Sequence, residues 1–285
     1  MAAPVSVQGR NLPSWTRGAP RAAAVVALLA WSLFPILWIV LTSLKTRLEI
    51  LADEPVFWFT PTLDAYRRTL FSPGAGVLSD LLNSVGITMA STVATILVAG
   101  LAAYSLARFA FRGKGPVLTF ILASRLLPPI SAVIPLFLLF STFGLIDTHA
   151  ALILVYTALN APFAAWLLKS FFEGVPKELE EAAELDGCSA LGAFFRVTMR
   201  LAAPGIVATG IITGNMAWNE FLFAFMFTSV DATTLPLALA ELKGGEQIAW
   251  QDLGARATLL MLPALTVGLW SQKYLVSGLT AGSLK

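Results

Sequence analysis

The sequence predicts an all-α integral membrane protein with six transmembrane helices, and three observations carry that prediction. The chain has 285 residues, 57% of them hydrophobic and only 13% charged; a soluble domain is about one quarter charged. Mean hydropathy is +0.76. Apolar runs recur that are long enough, at ~1.5 Å per helical residue, to cross a hydrocarbon core of ~30 Å. Between the fourth and fifth of these runs lies the longest strongly charged stretch of the chain, residues 173–204. The same composition excludes other classes. A net charge of +2 offers no basic surface to nucleic acid. One cysteine, Cys188, cannot form an internal disulfide, and one histidine, His149, argues against a dedicated zinc site.

Residues 1–21 contain Pro, Gly and Arg without apolar periodicity and are expected to form a loose N-terminal tail. Arg10, Arg17 and Arg21 then precede the apolar run 22–44. Basic residues before an apolar run also mark signal peptides, but this run is longer than their apolar core. It reads as an uncleaved first transmembrane helix, bent at Pro35. Residues 45–79 form a polar connection marked by Pro55, Pro61, Pro73, Gly74 and Gly76. A membrane core over 80–275 follows, with spans at 81–106, 117–140, 150–172, 205–227 and 255–277, and residues 276–285 form a C-terminal tail. Twelve Lys and Arg fall on one side: Arg10, Arg17 and Arg21; Arg108, Arg112 and Lys114; Lys169, Lys177, Arg196 and Arg200; Lys273 and Lys285. The alternate, longer loops hold six. Both termini and residues 173–204 are therefore expected in the cytoplasm.

Within the charged stretch, Pro176 suits the first turn of a helix. Glu178, Glu180 and Glu181 then lie near its positive end. Helical spacing places Leu179, Ala182, Ala183 and Asp186 on one flat face and Lys177, Glu180, Glu181 and Glu184 on the other. Gly187 is a natural stop, and Ser189 can cap a second helix. That helix would pack through Leu191, Phe194, Phe195 and Thr198. A charge run is commonly no more than a solvated face. A passive connection, however, needs only a few residues, so the flat Ala182–Ala183 face and the aromatic stripe favour a docking element.

Glu181-Ala182-Ala183, with Gly187 and Val197-Thr198-Met199, resembles the EAA loop of ABC-importer permeases. The resemblance extends over most of the chain, to the binding-protein-dependent carbohydrate permeases of the maltose-permease second-subunit type. It is carried by Leu126-Leu127-Pro128-Pro129, Ile134-Pro135-Leu136, Gly144-Leu145-Ile146-Asp147-Thr148, Phe171-Phe172-Glu173-Gly174-Val175-Pro176, Ala217-Trp218-Asn219-Glu220-Phe221 and Gly278-Leu279-Thr280-Ala281-Gly282.

The resemblance implies a type I ABC importer (MetI-like) permease fold in a bacterial or archaeal plasma membrane. It also implies three kinds of partner: a second homologous permease, two ATP-binding subunits and an extracytoplasmic solute-binding protein. The cargo would be an oligosaccharide, a disaccharide or a polyol. Carried over by position, Glu181, Ala182, Ala183, Asp186 and Gly187 would couple to the ATPase, while Leu179, Leu191, Phe194 and Phe195 would pack the loop. The chain has no phosphate-binding loop of its own, so ATP is expected to be used by the partner and no cofactor is expected on this chain. Arg200 stands where the family usually has proline. The segment 228–254 is expected to reach the solute-binding protein.

Polar residues inside the spans are the pathway candidates: Asn83, Asn160, Asn215, Trp218, Asn219 and Glu220, with Arg125 beside them. A mid-bilayer charge costs about 2.5–3.5 kcal/mol on insertion scales, so Glu220 and Arg125 should face protein or water. Arg125 lies eight residues into its span, about 12 Å deep, and is expected to reach toward the cytoplasm. Helix packing is the simpler role for each of them singly. Two rival classes remain. A self-sufficient secondary carrier would more often show duplicated halves and broken helices, and no internal repeat is visible. A membrane enzyme would need paired acids, a nucleophile with its base, or metal ligands, and no span carries them.

Overall fold

The computed structural model describes residues 14–72, 76–241 and 249–281. Every regular element among them is helical. Helix α1 runs over Ser14–Leu44 and contains Pro20 and Pro35. The tail expected to be loose is thus already helical from Ser14, while residues 1–13 lie outside the described residues. The expected polar connection carries two short helices, α2 (Arg47–Ile50) and α3 (Asp64–Phe71). Thr46 and Glu49 close the start of α2 with a reciprocal capping box. Pro73 and Gly74 of that connection lie outside the described residues.

Helix α4 (Val77–Arg108) is unbroken over 32 residues. The expected span 117–140 is not one helix. It divides into α5 (Lys114–Ser124) and α6 (Ile130–Thr142). Pro128 and Pro129 explain the division, because each lacks an N–H and disfavours a helical residue before it. Helix α7 (His149–Glu173) is continuous and capped by the Thr148 hydroxyl, which accepts the Ala151 N–H. The charged stretch forms α8 (Lys177–Leu185), α9 (Ala190–Ala193), a π-helical turn at Phe194–Thr198 and α10 (Met199–Leu201).

Helix α11 (Ala203–Trp218) then departs at 80° from the 190–201 segment. Pro204 sits in its first turn, where the missing N–H costs nothing. The expected span 205–227 also breaks. Helix α11 stops at Trp218, and α12 (Leu222–Phe227) starts after Asn219-Glu220-Phe221. The Glu220 carboxylate accepts the Phe223 and Ala224 N–H groups, which starts the new helix. Helices α13 (Leu235–Glu241) and α14 (Trp250–Ala281) complete the chain. In the described residues four helices are long and apolar enough to cross a membrane, or five if the bent pair 190–218 counts as one span.

The packing centre is the α4–α7 pair, against which α11 leans. Towards one end, Ile87, Val155, Tyr156, Phe223 and Phe227 form one apolar cluster. Towards the other, Ala99, Ala103, Tyr104, Leu168, Phe172 and Phe194 form a second. The small residues let backbones approach, which is how helices associate where burial from water contributes little. Gly205 shows the tolerance: a Cβ there would collide with the Phe171 ring.

Candidate functional site

Helix α8 follows α7 after only Gly174-Val175-Pro176. Its end is shaped by Gly187, whose φ of 91° is a left-handed conformation that glycine adopts without penalty. The Gly187 N–H reaches the Glu184 carbonyl, and the Cys188 N–H reaches that of Ala183, each at 3.0 Å. The Ser189 hydroxyl accepts the Gly192 N–H at 3.1 Å and starts α9. Then α9 passes into the π turn, where the Met199 N–H bonds to the Phe194 carbonyl five residues back.

That turn changes which residues face inward. Bonds five residues apart take the chain off the 3.6-residue period. Phe194 is 2% exposed and packs on Tyr104, Phe172 and Phe195 at ring-centroid distances of 4.6, 5.8 and 4.8 Å. Thr198 is buried as well. Leu191 and Phe195 are 60% and 50% exposed, and Leu179 is also exposed, so these three do not share the expected packing face. Arg200 is exposed in α10, which ends one residue later, and the Ala202 N–H closes onto the Thr198 carbonyl.

The residue that sequence spacing misplaces is Glu180. Expected on the solvated face, it is buried, and its carboxylate has four side-chain contacts. Arg108 donates from Nε at 2.9 Å and from Nη2 at 2.5 Å to Oε1, the Thr198 hydroxyl donates to Oε1 at 2.5 Å, and the Tyr104 hydroxyl donates to Oε2 at 3.0 Å. Arg108 Nη2 also reaches the Val175 carbonyl at 2.9 Å. Burial pushes the Glu180 pKa up, but the hydrogen bonds from Arg108, Thr198 and Tyr104 outweigh it and hold the group below the usual glutamate value. The only advance signal was the four-residue spacing of Tyr104 and Arg108 at the end of an otherwise apolar helix.

With Glu180 turned inward, the outer side of α8 is open. Glu181, Ala182 and Asp186 are exposed there, Ala183 is half-buried, and Leu185 is 90% exposed. An apolar side chain so uncovered beside two alanine methyl groups makes a shallow surface rimmed by carboxylates. Exposed Leu185 is a member of this face that spacing alone did not single out.

The polar residues of the spans do not converge on one point. Asn83 lies near the opposite end of the molecule, donating to the Asp231 and Thr233 carbonyls at 3.0 Å each and sharing a 2.7 Å bond with His149 Nε2. Asn160 is buried in α7. The Asn219 amide donates to the Asn215 carbonyl and side chain, and Trp218 Nε1 donates to the Leu260 carbonyl at 3.1 Å. The Glu220 carboxylate accepts first-turn N–H groups of α12. Arg125 rests on α7, bonding the Leu159 carbonyl at 3.3 Å with its guanidinium 5.3 Å from the Phe163 ring centre. Of the candidates, only Asn215 and Trp218 line the cavity of about 540 Å³ between α4, α11 and α14, together with Thr88, Gly210, Gly214 and Pro263.

A second built feature is Asp147, unnoticed as a site residue in the sequence. It holds a left-handed φ of 59°, uncommon for a residue with a side chain. Its carboxylate accepts the N–H groups of Ser229, Val230, Asp231 and Ala232 and the Ser229 hydroxyl, all between 2.8 and 3.2 Å. Burial pushes the Asp147 pKa up, and this ring of donors overcomes it, leaving the group well below the ordinary aspartate value. Lys243, Gly244, Gly245 and Glu246 of the expected contact segment lie outside the described residues.

Residues 95–281 match the family model described as "Binding-protein-dependent transport system inner membrane component". Similar curated proteins include the sulfoquinovosyl glycerol transport system permease protein SmoH of Agrobacterium fabrum, 38% identical over 96% of this chain and 97% of that protein. The trehalose/maltose transport system permease protein MalG of Thermococcus litoralis is 34% identical over 89% of this chain and 91% of its own. The trehalose transport system permease protein SugB of Mycobacterium tuberculosis is 36% identical over 90% and 94%. In fold the chain is similar to a bacterial ABC transporter involved in import of the acidic polysaccharide alginate, with a TM-score of 0.76 at 21% identity, covering 95% of this chain and 99% of that one.

Proposed function

The chain belongs to the family of binding-protein-dependent transport system inner membrane components, and from that premise we propose that it is one permease subunit of an ATP-driven carbohydrate importer, coupled to its ATPase through α8. The observation that carries this reading is the division of α8 into two sides. One is locked to α4 through Glu180, and the other leaves Glu181, Ala182, Leu185 and Asp186 open to water. A helix held so firmly from behind can be pushed without being peeled off. The carbohydrate assignment rests on the relatives, three of which are named for glycosylated or disaccharide cargo.

In this reading a second, homologous permease completes the pathway, two ATP-binding subunits meet the α8 surfaces, and a solute-binding protein delivers the sugar from outside. Both termini and α8 lie, in this reading, on the cytoplasmic side, an orientation supported by the distribution of Lys and Arg. Counting α5–α6 and α11–α12 as single interrupted spans brings the crossings to six. ATP binding closes the partner subunits, α8 is displaced, and the pathway changes the side to which it opens. Ala182 and Ala183 keep the docking surface shallow, and Gly187 makes the turn behind it.

The test is uptake by the assembled transporter. Ala183→Trp adds bulk at the docking face, and Gly187→Pro forbids the positive φ. Each is expected to abolish uptake and ATPase stimulation while the protein still inserts into the membrane. Uptake at the unmodified rate in Ala183→Trp overturns the assignment of α8.

A further inference from the structure

We propose that α4 and α7 form a closed transmission frame, clasped by Arg108–Glu180 at the α8 end and by Asp147 and Asn83 at the opposite end, that carries the displacement of α8 to residues 229–235. The proposal rests on the reading that α8 meets an ATPase, and adds the route by which its motion reaches the far side of the membrane.

The two uprights are continuous helices of 32 and 25 residues. At ~1.5 Å per residue, α4 is about 48 Å long, enough to cross the membrane and reach beyond it. They are packed together along both apolar clusters. At one end α7 runs into α8 within three residues, while α4 grips α8 through Arg108 and Tyr104 on Glu180 and through Arg108 on the Val175 carbonyl. At the other end both uprights hold the same short segment. Asp147, just before α7, gathers the N–H groups of residues 229–232. From α4, Asn83 takes the carbonyls of Asp231 and Thr233, Asp80 accepts the Thr233 hydroxyl at 2.5 Å, and Ser84 accepts the Leu235 N–H at 2.7 Å. The Asn83–His149 bond ties the uprights to each other there.

Each end is therefore fixed to both helices, and neither α8 nor residues 229–235 can shift without the frame. Hydrogen bonds to charged groups are the strong ones available to a protein, and both clasps use carboxylates, Glu180 buried and Asp147 half-buried. A passive loop on the outer face would not need anchors from two helices.

The test places spin labels at Lys177→Cys, at the start of α8 and outside the named docking residues, and at Val230→Cys, in a Cys188→Ser background; both positions are exposed. The transporter is purified with its partner subunits through a tag on this chain. The distance between the labels is measured without nucleotide and after trapping with ATP and orthovanadate. A rigid frame predicts the same distance distribution in both states, although each label moves relative to a third position on α1. In Glu180→Gln, and separately in Asp147→Ala, the distribution is expected to shift on trapping. Asp147→Ala lies far from α8, so it carries the test even where Glu180→Gln disturbs folding of the α8 end. A distance that changes in the unmodified frame, or one that stays fixed with both clasps broken, overturns the proposal. If no ATPase subunit copurifies with the unmodified chain, the functional reading itself fails, which is a separate result.

Discussion

At the residue scale, Glu180 shows what a charge demands when it leaves water. Its side chain and that of Arg108 are 8% and 7% exposed, and the pair is accompanied by two hydroxyl donors. Removing one partner from a buried ion pair leaves the other uncompensated, at a cost of about 3–5 kcal/mol, whereas replacing both with apolar groups is often close to neutral. Glu180→Leu alone is thus expected to lower the unfolding midpoint in detergent strongly, and Glu180→Leu with Arg108→Met to recover most of the loss. A double variant no more stable than the single one would show that the pair is not what the carboxylate stabilises. The pH dependence has a fixed sign. Glu180 has a pKa lower in the folded state than its ordinary value, so its contribution is present above the unfolded glutamate value of about 4.3 and is lost as pH falls through the folded one. Unfolding curves should therefore weaken with acid below that value, and Glu180→Gln should flatten the slope.

At the scale of elements, the π turn at Phe194–Thr198 sets which groups meet Glu180. It brings both the Phe194 ring and the Thr198 hydroxyl inward. Deleting Phe195 would return the segment to an ordinary α-helical period, with Thr198 three residues after Phe194 on the same side but its hydroxyl displaced from the Glu180 carboxylate. Thr198→Val removes the hydroxyl while keeping the shape. A hydrogen bond to a charged group contributes about 1.5–3 kcal/mol, so both changes are expected to destabilise by that order in thermal unfolding, the deletion more. A deletion as stable as the parent would show that the π turn positions nothing. Much of this architecture was legible beforehand, because long apolar runs and Gly or Pro stops are local properties. The α8–turn–α9 layout, for instance, follows from Pro176, Gly187 and Ser189 alone. The inward turn of Glu180 was not legible, since it depends on Arg108, 72 residues away along the chain. Nor was the exposure of Leu191 and Phe195, because the α-helical period does not hold where the backbone is π. The breaks at Pro128-Pro129 and Asn219-Glu220 lay in the sequence, but apolar composition on both sides concealed them.

At the scale of the whole molecule, the first and last helices pack along each other, most tightly at Gly254. Gly254 of α14 faces α1 so closely that a Cβ would lie 3.0 Å from the Ser43 nitrogen and 3.1 Å from the Ile39 carbonyl. Backbone cannot yield as a flexible side chain can. Around this point α3 binds both partners: Tyr66 shares a 2.7 Å hydrogen bond with the buried Ser43 hydroxyl, and Arg68 pairs with Asp252 at 2.7 Å. The Arg68 pair is half exposed and contributes little by itself, so the fit at Gly254 is the main constraint. Most of α1 beyond this contact is exposed apolar surface, which water would not cover. Gly254→Val should therefore act locally. Overpacking costs about 1–3 kcal/mol, and here it would be relieved by α1 and α3 moving off α14 rather than by the α4–α7 pair rearranging. Hydrogen exchange in detergent micelles would be expected to quicken over residues 36–44 and 64–71 and to stay slow over 87–107. Equal acceleration in all three segments would mean that α1 and α14 are part of one cooperative core. Acceleration confined to the first two would make the outer helices a separately released unit around a stable frame.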